Sequence, residues 1–425
     1  MHKGWIVIKN LWEKGLVSIF TGTFLTKVLS FFGSIFLIHV LSKREYGILS
    51  YLETFYGYVF IFAGFGTSNA ILRYVVLGKS KQEKFDFFSY ACKVGAVWNL
   101  FLVIIGIAIG MYYNHPEPYR DFLWLLCVLL LTIPFQYIVD NVLCNERALF
   151  ENRRYAIYTI FLTAIVILGK ISAGNEAGIV GVIFYQIVAY FVLSVLYLRS
   201  TIKKHYRGLK AKILPTYLKR EINIYSLQYM ITNGLWAIFM LNDTFLLGRY
   251  CSPEIVAEYR VAYTIPGSVT LINNAIGIFV APYFVKNEEN RKWVKSTFRK
   301  TYLITAGFVG LICIIISIFS KLIISLLYGE QYSEINRIML ILLIAAFLNC
   351  GLRYTTANVL AAMGKIKYNM IISGIGLIMQ LIINMNIVPT FGAVGVAVTS
   401  CGVYGFMALC LLAIFYLKVI PMIKN

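Results

Sequence analysis

The chain has 425 residues, of which 59% are hydrophobic and only 14% are charged, and its mean hydropathy is +0.74. Soluble globular domains carry about 25% charged residues, so this composition excludes a soluble fold and makes lipid the solvent. The net charge of +20 does not indicate a nucleic-acid partner, because the basic residues lie mostly in short connectors between apolar runs. Those runs are continuous, which also excludes a transmembrane β-barrel with its alternating strands.

Apolar runs of about 20 residues recur along the whole chain, as a bilayer core of roughly 30 Å requires of a helix. They predict an all-α polytopic membrane protein with about twelve transmembrane helices. In chain order, the predicted spans are 16–41, 47–72, 87–113, 121–144, 155–169, 177–198, 222–248, 261–285, 301–328, 338–362, 368–388 and 391–417.

The distribution of basic residues predicts the orientation of these spans. With the N-terminus in the cytoplasm, 28 Lys and Arg residues fall on the cytoplasmic side and seven on the opposite side. This asymmetry is typical of the positive-inside rule. We therefore expect a multi-pass protein with both termini in the cytoplasm.

The longest and most basic connector, at residues 199–221, lies near the middle of the chain. It predicts two six-helix lobes, residues 1–208 and 209–425, around a central cavity. A likeness between Leu41–Gly47 and Cys251–Ala257, at an offset of about 210, indicates a duplication. Two even-numbered halves of the same orientation form a parallel repeat about an axis along the membrane normal.

Charged residues also occur inside the predicted spans, where each one facing lipid near mid-bilayer would cost roughly 2.5–3.5 kcal/mol. They are Lys27, Glu53, Lys93, Asp140, Asp243, Lys321 and Arg353. We expect each to face a hydrated cavity, to pair with another polar group or, as for Lys93 and Lys321 near span ends, to reach the interface.

Several polar side chains recur at helical spacing and so share one face of a span. In chain order, these rows are Thr23, Lys27, Ser30 and Ser34 on span one, Gln136 and Asp140 on span four, Asn349, Arg353 and Thr356 on span ten, and Ser373, Gln380 and Asn384 on span eleven. One interpretation is that polar residues line a substrate cavity, with a candidate substrate-binding set of Lys27, Glu53, Asp140, Asn349, Arg353 and Gln380. The other is that they tie helices together by hydrogen bonds and buried ion pairs.

Asp243 lies near the predicted outer end of span seven, and Arg249 and Arg260 follow within the next connector. We predict that Asp243 and Arg260 form an ion pair or an outer gate. Direct contact of Asp243 with a ligand is the alternative.

Motifs that would indicate catalysis are few. The four histidines are scattered and the eight cysteines contain no CxxC pair, so the sequence predicts no metal site and no cofactor. The segment Leu77–Ser80 resembles the end of a phosphate-binding loop, but Arg73 replaces the upstream glycine, and ATP hydrolysis is not expected. No outer connector is long enough to fold into a catalytic domain. This disfavours an enzyme. A membrane-embedded glycan polymerase remains the enzymatic alternative to a transporter.

Three segments of the first half carry a family resemblance: Gly22–Ser30, Leu41–Ser50 and Gly64–Tyr74. The second half echoes them in Asn242–Gly248 and Tyr259–Tyr263. These segments resemble the polysaccharide-exporter family of oligosaccharide flippases, often called the Wzx family. Its superfamily also contains the MATE multidrug exporters and the lipid II flippase.

The resemblance implies a transporter of the cell (inner) membrane. Its implied substrate is an oligosaccharide on a polyprenyl diphosphate, such as a repeat unit of O-antigen, capsule or exopolysaccharide, moved from the cytoplasmic to the outer leaflet by alternating access. Implied partners are membrane lipid, H⁺ or Na⁺ as a coupling ion, and glycan polymerase and assembly proteins.

The charge of the lumen separates this function from its nearest alternative. A diphosphate needs a basic, hydrated lumen, and Lys27 resembles the cavity-lining basic residues on span one of the lipid II flippase. A lumen dominated by Glu53, Asp140 and Asp243 would instead favour a MATE-like drug or cation antiporter.

Overall fold

A computed structural model describes residues 16–271, 280 and 283–423, with the side chains of the first helix described from residue 21. Within these ranges the chain is almost wholly helical and contains no strand. Its first helices are α1 (Leu16–Val40), α2 (Lys43–Phe60), α3 (Thr67–Leu77), α4 (Lys81–Tyr112), α5 (Glu117–Arg120), α6 (Leu123–Leu130), α7 (Ile133–Ala148), α8 (Asn152–His205) and α9 (Thr216–Tyr250). They are followed by α10 (Pro253–Ser268), α11 (Arg291–Ile318), α12 (Ser320–Tyr328), α13 (Asn336–Ala346), α14 (Tyr354–Ala362), α15 (Ile366–Ile414) and α16 (Ile420–Met422).

In the described part of the chain, eight helices or helical runs are long and apolar enough to cross a membrane. Helices α2 and α3 form a further candidate, bent by 49°. The bend is a short 3₁₀ turn in which Gly64, Phe65 and Gly66 all have positive φ, a conformation that glycine adopts without strain. The prediction of an all-α polytopic membrane protein is confirmed.

Helix α8 contains 54 residues. This corresponds to a length of about 80 Å, far more than a bilayer core requires. Its backbone leaves helical geometry at Ala177 and Gly178, where Gly178 has a φ of 57°. The two arms then run side by side, since the rings of Tyr158 and Tyr197 stack at a centroid distance of 4.2 Å. Helix α8 is therefore two spans, as predicted, although the expected connector at residues 170–176 is helical.

Helix α15 repeats this construction with 49 residues. It turns at Gly392, whose φ of 52° and ψ of −135° are close to the 57° and −143° of Gly178. A Cβ atom added at Gly376 would lie 2.5 Å from the sulfur of Met407, so the arms of this hairpin also pack closely. Helix α15 accounts for the last two predicted spans.

Each glycine turn packs against the connector between the first two helices of its half. In the first half, Ser42 caps α2 in a reciprocal capping box with Glu45, and Glu45 Oε1 also accepts a hydrogen bond from the Ile179 N–H at 3.3 Å. In the second half, a Cβ atom at Gly392 would lie 3.7 Å from the sulfur of Cys251. The two segments whose likeness indicates a duplication thus occupy the same place in each half.

Contacts divide the chain into two compact units, one ending at Ile238 and the other starting at the next residue. The division falls inside α9, whose first part packs on unit 1, where the Tyr74 hydroxyl donates to Glu221 at 2.9 Å. The predicted lobes, residues 1–208 and 209–425, are defined by counting six membrane spans in each, whereas the two units are defined by contacts between residues. That division stays a prediction.

One end of unit 1 is held together by the fully buried carboxylate of Glu146 on α7. Thr201 Oγ1 donates to it at 2.5 Å, and His205 Nε2 lies at 3.2 Å. Arg154 Nε lies at 3.5 Å. Because Arg154 lies in the first turn of α8 and His205 is its last residue, the Glu146 side chain fixes both ends of the α8 hairpin to α7.

Candidate functional site

Unit 2 contains a small cavity between its helices. Four elements line it: α9, α10, α15, and α13 with the helical turn that follows it. Its lining includes the polar and aromatic residues Phe239, Asp243, Thr244, Tyr259, Arg260, Tyr263, Thr270, Asn349, Ser400 and Tyr404. Three predicted site residues, Asp243, Arg260 and Asn349, therefore meet around one cavity.

Asp243 is a buried carboxylate that accepts hydrogen bonds from two neighbouring elements. The Tyr259 hydroxyl donates to Oδ2 at 2.8 Å, and Ser400 Oγ lies 3.5 Å from the same oxygen. Gln380 Nε2 and Asn384 Nδ2 donate to Oδ1 at 2.9 Å and 2.8 Å. All four partners are uncharged, so the negative charge of Asp243 is hydrogen-bonded without being neutralised.

The amides that donate to Asp243 leave their own oxygens open. Gln380 Oε1 and Asn384 Oδ1 are buried and accept no hydrogen bond from the residues that the structure describes. Both amides turn their nitrogens, not these oxygens, to the Asp243 carboxylate. The carboxylate can therefore take up a proton as it stands, whereas a small cation, which prefers carboxylate and amide oxygens as ligands, requires the two amides to turn over first.

The predicted ion pair between Asp243 and Arg260 is not present. Arg260 is half-buried and lines the same cavity, and among the described residues Asp243 makes no ion pair with any basic side chain. Spacing along the chain placed Arg260 close to Asp243, but the packing of α10 brings Tyr259 to the carboxylate instead. A gating role for these two residues stays a prediction.

Arg353 ends a π-helical turn, Phe347–Arg353, between α13 and α14. It is buried, and its guanidinium donates to Asn349 Oδ1 and to Ser373 Oγ, each at 3.0 Å. The predicted polar rows of spans ten and eleven thus face each other. In this conformation Arg353 ties helices together, whereas its partner Asn349 reaches the cavity. A substrate role for Arg353, Asn349 and Gln380 stays a prediction.

The predicted acidic residues of unit 1 have fewer partners. Glu53 is partly exposed and pairs with Lys170 Nζ at 3.0 Å. Gln136 accepts a hydrogen bond from the Tyr56 hydroxyl at 2.7 Å. Asp140, one turn further along α7, is half-buried and makes no hydrogen bond or ion pair with the part of the chain that the structure describes. Of these two acidic residues, Glu53 has the partner that the pairing interpretation requires, and Asp140 has none among the residues that the structure describes.

Lys27 is exposed on α1, as are Thr23 and Ser30 of the same predicted row. The face of α1 that packs on α8 is a different one, where Gly33 lies directly against Ile167 and a Cβ atom at Gly22 would meet that of Ala156 at 2.7 Å. Lys27 makes no ion pair or hydrogen bond with other described residues. The α1 row therefore places on an exposed face of unit 1 a cation that no side chain of the described ranges compensates.

Sequence reasoning missed the tyrosines and the serine of the unit 2 site. Tyr259 and Tyr263 lie one turn apart on α10, and Ser400 and Tyr404 lie one turn apart on α15. Both pairs have the i, i+4 spacing of a shared helix face, which was the available signal. Tyrosines are so common in this chain, with 30 in all, that this signal does not distinguish a site from an interface belt.

The apolar helical hairpins, with ionisable residues inside both units, define a polytopic membrane protein. A model of the polysaccharide biosynthesis protein family matches residues 36–337. The chain therefore belongs to that family.

Individual proteins extend the similarity over almost the whole chain. An uncharacterised membrane protein of Methanocaldococcus jannaschii is 21% identical over 420 residues, which cover 93% of this chain and 82% of that protein. An inward closed structure of the lipid II flippase MurJ superposes with a TM-score of 0.73 at 17% identity, covering 95% of this chain and 87% of that one. An inward-facing multidrug resistance MATE transporter of the MOP superfamily gives 0.68 at 13% identity, covering 93% and 94%. The fold is shared with these transporters.

Proposed function

We propose that this protein is a flippase that moves an oligosaccharide linked to a polyprenyl diphosphate, such as a repeat unit of a surface polysaccharide, from the cytoplasmic to the outer leaflet. The family and the shared fold support this function. The observation that carries it is Lys27, a cation exposed on a membrane-spanning helix without a partner among the described residues. An ammonium facing hydrocarbon would be costly, so this face of α1 lines a hydrated path that attracts an anion.

The membrane potential supplies a driving force for such a substrate. With the cytoplasm negative, each negative charge moved outward gains about 2.3 kcal/mol per 100 mV. A diphosphate with two uncompensated charges gains roughly twice that, which makes ATP unnecessary. We place the protein in the cell membrane with both termini in the cytoplasm, as the asymmetry of Lys and Arg supports.

The unit 2 site would allow a proton or sodium gradient to drive transport as well. The buried carboxylate of Asp243, with its four uncharged donors, suits a proton that binds in one state and leaves in another, or a Na⁺ that binds after the Gln380 and Asn384 amides turn their unbonded oxygens toward it. We propose Asp243 as the coupling site. Glu53 is less suited to this role because Lys170 already compensates its charge.

The test is a leaflet-sidedness assay with purified protein in liposomes. A fluorescent polyprenyl diphosphate carrying a short oligosaccharide is incorporated in both leaflets, and an impermeant reagent modifies the sugars on the outside. Protein-dependent exposure of the inner pool is expected. An inner pool that stays protected with several different glycans contradicts the flippase.

Lys27→Ala should slow flipping roughly tenfold, because one charge-assisted contact of about 1.5 kcal/mol is lost. Lys93→Ala is the matched control, since Lys93 is also an exposed lysine on an apolar helix of unit 1 but lies near a predicted span end. Equal flipping rates for wild type and Lys27→Ala would contradict the proposed cationic path along α1.

Arg353→Ala should lower both the flipping rate and the thermal stability, because its guanidinium is buried among partners.

A cation antiporter of the same fold is the second candidate function, and Asp243 is the observation that favours it. Its carboxylate lies at a cavity with Tyr259, Tyr263 and Tyr404, and aromatic rings with a carboxylate suit an organic cation. Uptake of an organic cation driven by a proton or sodium gradient, without flipping of any glycan lipid, would establish this candidate instead.

A further inference from the structure

The part of α9 in unit 1 has three faces with different surroundings. Ile222 and Ser226 are buried against the unit. Ile224, Leu227, Ile231 and Leu235 form an apolar face that is exposed by 38–54%. Between these two lies a third face, here named the polar face of α9, made of Tyr225, Gln228, Tyr229 and Thr232.

The polar face is open to ligands. Gln228, Tyr229 and Thr232 are exposed, and Tyr225 is half-buried. Thr232 Oγ1 donates to the backbone oxygen of Gln228 at 2.8 Å, but the Gln228 amide and the Tyr229 hydroxyl make no hydrogen bond to the described residues. Polar groups on a spanning helix must be hydrated or hydrogen-bonded. Since the apolar face is the one suited to lipid, the polar face looks onto water or substrate.

A cation lies at one end of this face. Arg73, exposed on α3, places its guanidinium carbon 5.2 Å from the ring centroid of Tyr225 and 5.9 Å from that of Tyr74. The Tyr74 hydroxyl donates to Glu221, an exposed carboxylate at the same end. Arg73 also belongs to the basic residues that predict the cytoplasmic side. A guanidinium held over aromatic rings presents its edge N–H groups to a phosphate.

The chemistry of the face selects among ligand classes. Tyrosine rings stack on sugar faces, and amide and hydroxyl groups exchange hydrogen bonds with sugar hydroxyls. Residues 222–238 contain no acidic side chain, which disfavours an organic cation as the ligand. The face itself is uncharged and forms hydrogen bonds, and it ends at Arg73, beside the Glu221 carboxylate that the Tyr74 hydroxyl binds. Such a surface is complementary to a neutral glycan whose diphosphate binds the arginine.

We propose that the polar face of α9 is the surface that contacts the glycan, with Arg73 binding the diphosphate to which the glycan is attached. This inference rests on the proposed function and adds to it the residues that recognise sugar. The glycan lies along Tyr225, Gln228, Tyr229 and Thr232, and the polyprenyl chain stays in the bilayer.

The test compares the binding of two fluorescent lipids to the full-length protein in nanodiscs. One is a polyprenyl diphosphate carrying a neutral pentasaccharide, taken from a small panel, and the other is the same lipid without sugar. The double variant Gln228→Leu/Thr232→Val should weaken binding of the glycan lipid about tenfold, as expected for the loss of two neutral hydrogen bonds. Its affinity for the sugar-free lipid should be unchanged, a split that a merely structural defect does not produce.

Two further variants complete the design. Ile231→Ala/Leu235→Ala alters the apolar face of the same helix and should bind both lipids as wild type does. Arg73→Gln should weaken both lipids equally, because both carry the diphosphate. If the Gln228→Leu/Thr232→Val variant loses affinity for both lipids equally, or for neither, the inference is overturned. The proposed function then still stands, provided that the wild-type protein flips the glycan lipid. A wild-type protein that binds neither lipid contradicts the proposed function and the inference with it.

Discussion

The two units differ in how they treat the charged residues that the sequence predicts in the middle of membrane spans. In unit 2, Asp243 and Arg353 are buried, and uncharged side chains surround them at hydrogen-bond distance. In unit 1, Lys27 is exposed and Asp140 has no hydrogen-bond partner among the described residues. Both halves contain a glycine turn of nearly equal geometry, so the difference in charge lies on a similar framework of helices.

This contrast separates two physical tasks. A buried, hydrogen-bonded charge is stable in one arrangement and costly in others, so it suits a group that senses a proton, an ion or a conformation. An exposed charge on a membrane helix holds little structure together and is available to a ligand. The comparison therefore supports the two proposals made above, energetic coupling in unit 2 and substrate contact in unit 1.

The largest effect is expected for the buried carboxylate of Asp243 in unit 2. Asp243→Ala should lower the free energy of unfolding by about 3 kcal/mol, because it strands buried donors of Tyr259, Gln380 and Asn384. Asp140→Ala is the matched control, since it removes no hydrogen bond seen in the structure, and should change stability by no more than about 0.5 kcal/mol. Denaturant titration in detergent measures both. Similar losses for the two variants would break the contrast between the units.

An intermediate effect tests the shared framework. Gly178→Ala should cost about 2–3 kcal/mol, because alanine is strained at a φ of 57° and its Cβ atom would collide with the Glu45 carboxylate. Gly392→Ala has a similar φ but no neighbour closer than 3.7 Å, so its loss should be about 1–2 kcal/mol. Thermal unfolding of both variants ranks them. A greater loss at Gly392 would contradict the packing described for the two turns.

The smallest expected effect concerns the ion pair of unit 1. A double-mutant cycle on Glu53→Gln and Lys170→Met should give a coupling energy of about 0.5 kcal/mol, because both side chains are partly exposed. The cycle is measured from the unfolding free energies of the four proteins. A coupling energy above about 2 kcal/mol would show that this charge pair contributes strongly to the stability of unit 1. That result would contradict the contrast drawn between the two units.

Helical periodicity accounts for what the sequence predicted correctly. The spacing of Ser373, Gln380 and Asn384 places them on one face of a span, whatever packs against it, and the structure finds each of them bonded to a predicted charged residue. The exposed row that contains Lys27 follows from the same rule. These features depend on one helix at a time.

Features that depend on two helices were not predictable in the same way. Asp243 bonds to Tyr259 rather than to the adjacent Arg260, because the rotation of α10 about its axis decides which of two neighbours faces the carboxylate. Lys170 was expected in an outer connector, but the helix continues through it to Gly178 and brings it to Glu53. Hydropathy does not mark the end of a helix that turns at a single glycine.

The tight turn at Gly392 has a consequence for how the protein enters the membrane. Residues 368–417 contain no Asp, Glu, Lys or Arg, and a turn this short adds no hydrophilic loop between the two arms. The hairpin can leave the translocation machinery as one apolar body, with no charged side chain to carry across the bilayer. Its basic flanks, Lys365 and Lys367 before it and Lys418 after it, then hold both ends on the same side.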